Sequence, residues 1–377
     1  MKSVAILGSS GVVKGASFLS TADFLSSVGH NTGNLVFQYA VYNAITEPKL
    51  IVGIDIPWDP KVIRDKCRVL VLPVANFIRE NFDLTGYVNF LEACNLPLVF
   101  IGLGAQADDY NKLDFNFHPS ILKLIELMKG MDCRVAVRGI YTKNVLNKYG
   151  VLNTHIMGCP SNFLNKDENL HEKLEKKWKS PVRTLSATGD EPWPKNGTKK
   201  LAEQKLISLT KEMGGVYVQQ SVEPFVRILR ENNPYQVESC APELIKSLNL
   251  SIAPGMDESQ FRKFLTSSVR LYISVDQWLE EMSKFDLSIG LRLHGNMVPF
   301  QSGCPAIWIT HDSRTSELVE TMALPNLSLE KFLELKSLED MKECCNFNFN
   351  DYYLKRKALS IQYKSVLDYY DIKNDIN

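Results

Sequence analysis

Residues 68–104 read RVLVLPVANFIRENFDLTGYVNFLEACNLPLVFIGLG. Two short, largely apolar runs, at 68–72 and 98–104, stand on either side of a longer segment with helical character. Strands that alternate with helices form a parallel sheet, and unbroken apolar runs are typical of strands that helices cover on both faces. This stretch therefore predicts a unit of a doubly wound α/β fold.

The same alternation extends over most of the chain. In the first half, further runs that predict strands occur at 4–7, 50–54 and 134–139. After a polar, lysine-rich stretch, a second series occurs at 184–188, 215–220, 271–274, 287–292 and 306–310. The two series predict two Rossmann-like, doubly wound domains.

The polar stretch at 165–180 sets the predicted domain boundaries. The first domain is predicted at 1–170 and the second at 180–327, with a linker between them. Helical spacing in the remaining residues, 328–377, predicts closing helices that pack back across the first domain. Because ligands of parallel sheets bind outside the carboxyl ends of the strands, the cleft between the two domains is the predicted ligand site.

Composition and charge exclude several classes of protein. Of the 377 residues, 45% are apolar and 23% charged, which is typical of a folded globular protein. Forty-three basic residues balance forty-three acidic ones, so the net charge does not favour nucleic acid as a partner. No apolar run approaches the length that spans a bilayer. Eight cysteines without the spacing of a metal site predict reduced thiols, no metal and a cytoplasmic location.

The stretch LSIGLRLHGNMVPFQSGCPAI, at 287–307, places two functional side chains at the carboxyl end of a buried strand. Arg292 supplies a planar, permanently charged group for a phosphate or carboxylate, and His294 can move protons near neutral pH. Arg138 ends a strand of the first domain and is expected to face Arg292 across the cleft. Together they predict an anion-binding catalytic site. An ion pair between Arg292 and an acidic neighbour such as Asp286 is the structural alternative.

Three further places are candidates for contact with a ligand. Asn31 is predicted to cap a helix whose first backbone N–H groups are free for an anionic oxygen, although an ordinary capped helix is the alternative. Gly104 and Gln106 end a strand where the backbone approaches either a ligand or another strand. His311 and Arg314 follow the last predicted strand and are candidates for lining the cleft.

The order Arg292-Leu293-His294-Gly295, followed by a helix and the turn Gly303-Cys304-Pro305, closely resembles the C-terminal signature of the polysaccharide pyruvyl transferase family. Five other segments are similar to segments of that family in the same order and cover most of the chain. They are NTGNLVFQYA at 31–40, IGLGAQ at 101–106, VAVRGIYTKNVLNKYGV at 135–151, GCPS at 158–161 and DSRTSELVETMALP at 312–325.

The resemblance implies transfer of the enolpyruvyl unit of phosphoenolpyruvate to a sugar diol as a cyclic ketal, with release of phosphate. The setting would be biosynthesis of a capsule, an exopolysaccharide or a cell-wall polymer. It implies His294 and Arg292 as catalytic residues, with protonated His294 giving a proton to the vinyl carbon and then accepting one from the hydroxyl. The donor-binding residues that it implies are Arg138, Arg292, Leu293, His294, Gly295, Asn31, Gly33 and Asn34.

The implied reaction needs phosphoenolpyruvate as a substrate and no cofactor. The resemblance implies an acceptor sugar carried on a lipid or a nucleotide, and a lipid carrier would bring the protein to a membrane surface. Asn76, Trp193 and Asp312 are candidates for acceptor contacts.

Two other functions remain open at this point. A GT-B-type glycosyltransferase or a nucleotide-sugar epimerase shares the opposed, GT-B-like layout of two Rossmann-like domains, and fold alone does not decide between activities. A diphosphate-binding loop would favour that alternative, and the sequence has no convincing one. A sugar-binding protein of the same fold without catalysis is the second alternative, and the complete Arg-Leu-His-Gly order argues against it.

Overall fold

The computed structural model describes residues 2–107, 111–130, 133–231 and 242–376. It contains two parallel, six-stranded sheets with flanking helices, which confirms the predicted pair of Rossmann-like domains. The first sheet contains β1 Ser3–Ile6, β2 Lys49–Ile51, β3 Cys67–Pro73, β4 Leu98–Leu103, β5 Val135–Val137 and β6 Thr154–Ile156. The second contains β7 Leu185–Thr188, β8 Val216–Val218, β9 Val269–Arg270, β10 Leu287–Gly290, β11 Ala306–Thr310 and β12 Asn326–Ser328.

The strand orders are β2-β1-β3-β4-β5-β6 and β12-β11-β10-β7-β8-β9. The helices of the first half are α1 Thr21–Ser27, α2 Asn34–Ala44, α3 Pro60–Lys66, α4 Thr85–Cys94, α5 Pro119–Gly130, α6 Ile140–Lys148 and α7 Leu170–Trp178. Those that follow are α8 Gly197–Glu212, α9 Glu223–Glu231, α10 Pro242–Ile252, α11 Glu258–Ser267, α12 Val275–Met282, α13 Leu293–Gln301, α14 Ser313–Met322, α15 Leu329–Glu334, α16 Leu338–Cys345 and α17 Phe349–Asp368.

The sequence pattern misses the short strands at the sheet edges. Strands β6 and β12 have three residues each, and part of each is exposed, so neither shows an apolar run. Strand β9 lies at Val269–Arg270, just before the predicted run at 271–274. An edge strand pairs on one side only, and its apolar signal is correspondingly weak.

The predicted linker between the domains contains helix α7. Leu170 and Leu174, four residues apart, are both buried in the core that covers the first sheet. Side chains four residues apart lie on the same face of a helix, so two leucines are enough to anchor this otherwise charged segment.

One hydrophobic core joins the two domains and the C-terminal helix. It contains Val99 of the first sheet, Trp308 of the second sheet and Tyr363 of α17. Arg134, next to β5, lies with its guanidinium 4.1 Å from the ring centroid of Tyr369 at the end of α17. Helix α17 therefore covers one face of the first sheet and fixes that sheet relative to the second domain.

A buried carboxylate also links the two domains. Glu317 of α14 is 1% exposed and accepts hydrogen bonds from the N–H (2.8 Å) and the hydroxyl (3.0 Å) of Thr142, in the first turn of α6. The same hydroxyl accepts the N–H of Ala105 at 2.9 Å. The positive end of the helix dipole favours a carboxylate at this place.

Glu317→Ala should lower the free energy of unfolding by about 1–3 kcal/mol, because the N–H and hydroxyl of Thr142 lose their buried acceptor. Urea unfolding measures the loss, and Glu317→Gln, which keeps one acceptor oxygen, should cost less. A double-mutant cycle with Thr142→Ala should give a coupling energy above about 0.5 kcal/mol. Additive losses would show that the contact does not link the domains energetically.

Candidate active site

A cavity of about 220 Å³ lies where residues following strands of both sheets meet. The first sheet contributes residues that come after β3 and β5, and the second sheet contributes residues after β7, β8, β10 and β11. The predicted site residues that line it are Asn31, Asn34, Arg138, Arg292, Leu293, His294, His311 and Arg314. The structure thus brings together side chains from distant parts of the sequence.

Of the acceptor candidates, Asn76 lines this cavity, Asp312 lies between two residues that line it, and Trp193 lines a separate cavity beside α10. Four other predicted residues do not line the cavity at Arg138: Gly33, Gly104, Gln106 and Gly295. Gly33 packs against cavity residues, since a Cβ atom there would touch the side chains of Gln220 and Asn31. A Cβ atom on Gly295 would collide with the hydroxyl of Thr188. A Cβ atom on Gly104 would lie 2.7 Å from Cδ of Arg138, so only glycine leaves room for that side chain. Gln106 lines a neighbouring, more open cavity instead.

Arg138 follows β5 and is 5% exposed. Its Nε donates to the carbonyl oxygen of Gly102 at 3.0 Å, and its Nη1 donates to Oδ1 of Asn76 at 2.6 Å. Both acceptors are neutral. Burial lowers the pKa of Arg138 from its usual value, and the nearby groups Cys159 and Glu317 act in the opposite direction. The result is a buried cation on the cavity wall without a carboxylate hydrogen-bonded to it in the described part of the chain.

His294 lies in the first turn of α13, not at the end of β10 as predicted, because the strand stops at Gly290. Its Nε2 lies 3.4 Å from Sγ of Cys159, and Phe37 packs beside the ring. Burial, followed by the charge of Arg138, lowers the pKa of His294 to about 3. With this lowered pKa the imidazole of His294 is neutral at pH 7, whereas the mechanism that the resemblance implies starts from a protonated ring.

Arg292 is the N-cap residue of α13 and pairs with Asp190, which follows β7. Its Nε lies 3.0 Å from Oδ1 of Asp190, and its Nη2 donates to the Asp190 carbonyl oxygen at 2.7 Å and to Oγ of Ser221 at 2.6 Å. Asp286 has other partners, since its carboxylate accepts the N–H groups of Arg183 and Thr184. Arg292 does form an ion pair, but its partner is the cavity residue Asp190 and not the predicted Asp286.

The start of α2 differs from its prediction. The helix begins at Asn34 with Gly33 as its N-cap residue, and the side chain of Asn31 accepts the N–H of Gly33 at 2.8 Å. The N–H groups of Asn34 and Leu35 donate to carbonyl oxygens of the preceding turn. These N–H groups are therefore not free for an anion, and the segment contributes to the cavity wall through the side chains of Asn31 and Asn34.

His311 and Arg314 stand on either side of Asp312, directly after β11. Asp312 caps α14 by accepting the N–H of Thr315 at 2.8 Å, and Nε of Arg314 donates to its Oδ2 at 2.8 Å. Burial alone would raise the pKa of Asp312, but the charge of Arg314, His311 and the cap bonds lower it to about 2. Asp312 is therefore a carboxylate at neutral pH.

Sequence reasoning missed Asp190, Gln220 and the contact of Cys159 with His294. Asp190 and Gln220 follow β7 and β8, so the rule that located Arg292, a polar residue just after a buried strand, could have found them. No local signal identifies Cys159, because its contact with His294 joins residues 135 positions apart.

A buried carboxylate holds the loop that carries Asp190. Glu203 of α8 is 1% exposed and accepts the N–H groups of Asp190 (2.6 Å) and Glu191 (3.0 Å) and the hydroxyl of Tyr217 (2.6 Å). Burial raises the pKa of Glu203 to about 7, while its hydrogen bonds act in the opposite direction. Glu203 thus holds the backbone of Asp190, the ion-pair partner of Arg292, in place.

A second cavity, of about 80 Å³, lies between Asn165 and Arg356 on another part of the surface. Two of its three basic side chains have partners: Lys166 pairs with Asp375 at 2.7 Å, and Nε of Arg356 donates to the carbonyl oxygen of Asn162 at 2.9 Å. The third, Lys357, is exposed to solvent. The cavity at Arg138 is therefore the better candidate for an anionic ligand.

The described residues form neither a metal-binding cluster nor a helix that could span a membrane. No group of three or more His, Cys, Asp or Glu side chains in this part of the chain is arranged to hold a metal ion. No helix formed by these residues is both long enough and apolar enough to cross a membrane.

Replacing Glu203 with Gln should change how stability depends on pH. Because the folded pKa of Glu203, about 7, lies above its ordinary value of 4.5, the folded state binds more protons there than the unfolded state between these pH values. The contribution of Glu203 to the free energy of unfolding therefore falls as pH rises from 4.5 to 7. Urea unfolding should show the wild type losing up to about 3 kcal/mol relative to Glu203→Gln over this range.

Glu212→Gln, at an exposed position of the same helix, controls for the loss of one negative charge. Parallel stability curves for the wild type and Glu203→Gln across this pH range would contradict the raised pKa.

Comparison with known proteins gives a family match and distant structural likenesses. A search of curated proteins finds no match. A UDP-N-acetylglucosamine 2-epimerase structure has a TM-score of 0.47 at 11% identity, covering 100% of this chain and 99% of its own. A putative enzyme of that name from Listeria monocytogenes has a TM-score of 0.47 at 12% identity, covering 100% and 98%. A glycosyltransferase from Rickettsia africae has a TM-score of 0.40 at 14% identity, covering 97% and 99%.

These structural likenesses are too distant to bear on function. The family model for polysaccharide pyruvyl transferase, in contrast, matches residues 20–313. The matched range contains Arg138, His294 and His311, and extends to the residue before Arg314. The chain belongs to the polysaccharide pyruvyl transferase family.

Proposed function

We propose that this protein transfers the enolpyruvyl unit of phosphoenolpyruvate to two hydroxyls of a sugar, forming a cyclic ketal and releasing phosphate. The observation that carries the proposal is the buried guanidinium of Arg138. It faces a cavity, and its hydrogen bonds to described residues go to the neutral acceptors Gly102 and Asn76. Burying a charge without an opposite charge is costly, so this wall of the cavity favours an anionic ligand.

Phosphoenolpyruvate has the charge that such a site requires. Its carboxylate is a planar anion and its phosphate is a tetrahedral one. A guanidinium binds either group through two parallel hydrogen bonds. Arg314 lines the same cavity and is the second candidate for the donor, although it shares its charge with Asp312. Arg292 is committed to Asp190 and Ser221, so we assign it mainly to holding the loop that carries Asp190.

Donor binding would also change the protonation of His294. Burial and the positive charge of Arg138 lower the pKa of His294, so the imidazole is neutral at pH 7. An anion bound to Arg138 offsets that charge, so the pKa of His294 rises when the donor is present. The proposed mechanism requires that His294 be protonated in the complex, where the vinyl carbon of the donor needs a proton.

The acceptor is proposed to be a sugar of a polysaccharide or cell-wall polymer precursor, carried on a lipid or a nucleotide. The family description supports polysaccharide biosynthesis. Asp190, Asp312 and Asn76, which lie at or beside the cavity, provide the acceptors that sugar hydroxyls use.

The proposal predicts acceptor-dependent release of phosphate from phosphoenolpyruvate, tested with galactose- and mannosamine-containing acceptors. His294→Ala should lower the rate by about 10²–10⁴-fold, as expected for loss of a general acid–base group. Arg138→Ala should abolish the thermal stabilisation that phosphoenolpyruvate gives the wild type, because the buried cation is its main partner.

His171→Gln on α7 and Arg262→Gln on α11 are matched controls outside the cavity lining and should keep wild-type rates. Circular dichroism and thermal unfolding check that each variant folds. Absence of phosphate release with every acceptor, together with stabilisation by a nucleotide-sugar but not by phosphoenolpyruvate, would favour the glycosyltransferase or epimerase class instead.

A further inference from the structure

His311 is a buried histidine whose outer ring nitrogen has no hydrogen-bond partner. Its side chain is 2% exposed and lies on the wall of the cavity. Nε2 makes no hydrogen bond with any described residue, yet it lies 3.7 Å from Oδ2 of Asp190 and 3.8 Å from Oδ2 of Asp312. An unpaired polar atom in such a place normally has a partner that is absent from the protein itself.

The other ring nitrogen fixes the position of the proton. Nδ1 lies 3.2 Å from the carbonyl oxygen of Ile309, which can only accept a hydrogen bond, so Nδ1 carries the hydrogen. In the neutral ring, Nε2 is therefore a hydrogen-bond acceptor. The carboxylates of Asp190 and Asp312 cannot donate to it, so it needs an O–H or N–H group from a ligand.

Both carboxylates are held in place by cations. Asp190 pairs through Oδ1 with Arg292, and Asp312 accepts Nε of Arg314 through Oδ2. Asp190, Arg292 and His311 follow the neighbouring strands β7, β10 and β11, so the sheet sets their spacing. This arrangement accepts hydrogen bonds from hydroxyl groups and stabilises a positive charge on His311.

We propose that His311 binds the attacking hydroxyl of the acceptor sugar at Nε2 and takes its proton, with Asp190 and Asp312 stabilising the imidazolium that forms. This rests on the proposed function. It divides the cavity into a donor side at Arg138 and His294 and an acceptor side at His311. The ligand class of the acceptor side is a sugar diol.

The proton balance needs two such groups. In the first step the acceptor O–H bond breaks, its proton moves to His311, its oxygen bonds to C2 of phosphoenolpyruvate, and C3 takes a proton from His294. In the second step the C2–phosphate bond breaks and the phosphate takes the proton of His311. The second hydroxyl closes the ring and returns its proton to His294, so that His294 is protonated and His311 is neutral, as they were before the first step.

The contacts of His294 make it a poor candidate for both tasks. Its Nε2 faces Cys159, and its ring lies beside the cation Arg138. Burial lowers the pKa of His311 as well, but the two carboxylates that His311 faces, Asp312 and Asp190, act in the opposite direction and favour the protonated ring. The two histidines thus have opposite electrostatic surroundings within one cavity.

The test uses His311→Gln, which keeps a side chain of similar size and polarity but removes the base. Acceptor-dependent phosphate release should fall by about 10²–10⁴-fold, while thermal stabilisation by phosphoenolpyruvate should remain as in the wild type. His294→Ala, in contrast, should lower both the rate of phosphate release and the thermal stabilisation by phosphoenolpyruvate. His171→Gln is the matched histidine control.

A second readout does not depend on turnover. In ¹⁵N-histidine-labelled protein, the His311 signals, assigned by their loss in His311→Gln, should show a ring protonated at Nδ1. The Nε2 signal should shift on addition of methyl β-galactoside or a methyl mannosaminide, but not on addition of phosphoenolpyruvate alone.

The outcomes separate this inference from the proposed function. A sugar-dependent Nε2 shift without phosphate release would support the acceptor site and reject phosphoenolpyruvate as the donor. Wild-type phosphate release by His311→Gln would overturn the role of His311 while leaving pyruvyl transfer in place. A His311 ring protonated at Nε2 would also overturn it, because that nitrogen could not accept the hydroxyl proton.

Discussion

The buried guanidinium of Arg138 is the constraint on which the site depends. A charge removed from water needs either an opposite charge or a full set of hydrogen bonds, and Arg138 has two bonds to the neutral oxygens of Gly102 and Asn76. The charge of the buried carboxylate Glu317 raises the pKa of Arg138, but the hydrogen bonds of Glu317 go to Thr142. The fold thus keeps Arg138 on the cavity wall without a carboxylate hydrogen-bonded to it among the described residues, and this is the basis of the proposal that the cavity binds an anion.

The other two arginines that line the cavity, Arg292 and Arg314, each pair with a carboxylate. Arg292 is paired with Asp190 and Arg314 with Asp312, so each charge is balanced within the protein. These pairs orient the carboxylates around His311 without adding net charge to the cavity. The distribution of charge, rather than the number of arginines, therefore distinguishes the proposed donor side from the proposed acceptor side.

Helix α14 connects the chemistry to the assembly of the domains. It carries Arg314 at the cavity and Glu317 at the contact with α6 of the first domain, one turn apart. The core shared by Val99, Trp308 and Tyr363 fixes the same two domains from another side. The cavity consequently has walls from both sheets whose relative position is set by buried contacts.

The sequence by itself determined the two Rossmann-like domains, because long buried strands such as β3, β4 and β11 need continuous apolar runs that are visible locally. It also placed Arg138, Arg292 and His294 near strand ends, where parallel sheets bind ligands. Only the tertiary structure decided which of these groups are charged and which are already paired. Arg292 forms its ion pair with Asp190 and not with Asp286, and His294 lies beside Cys159. Both contacts join residues that are more than 100 positions apart in the sequence. Burial and such long-range pairs set protonation states, and neither is encoded in a local pattern.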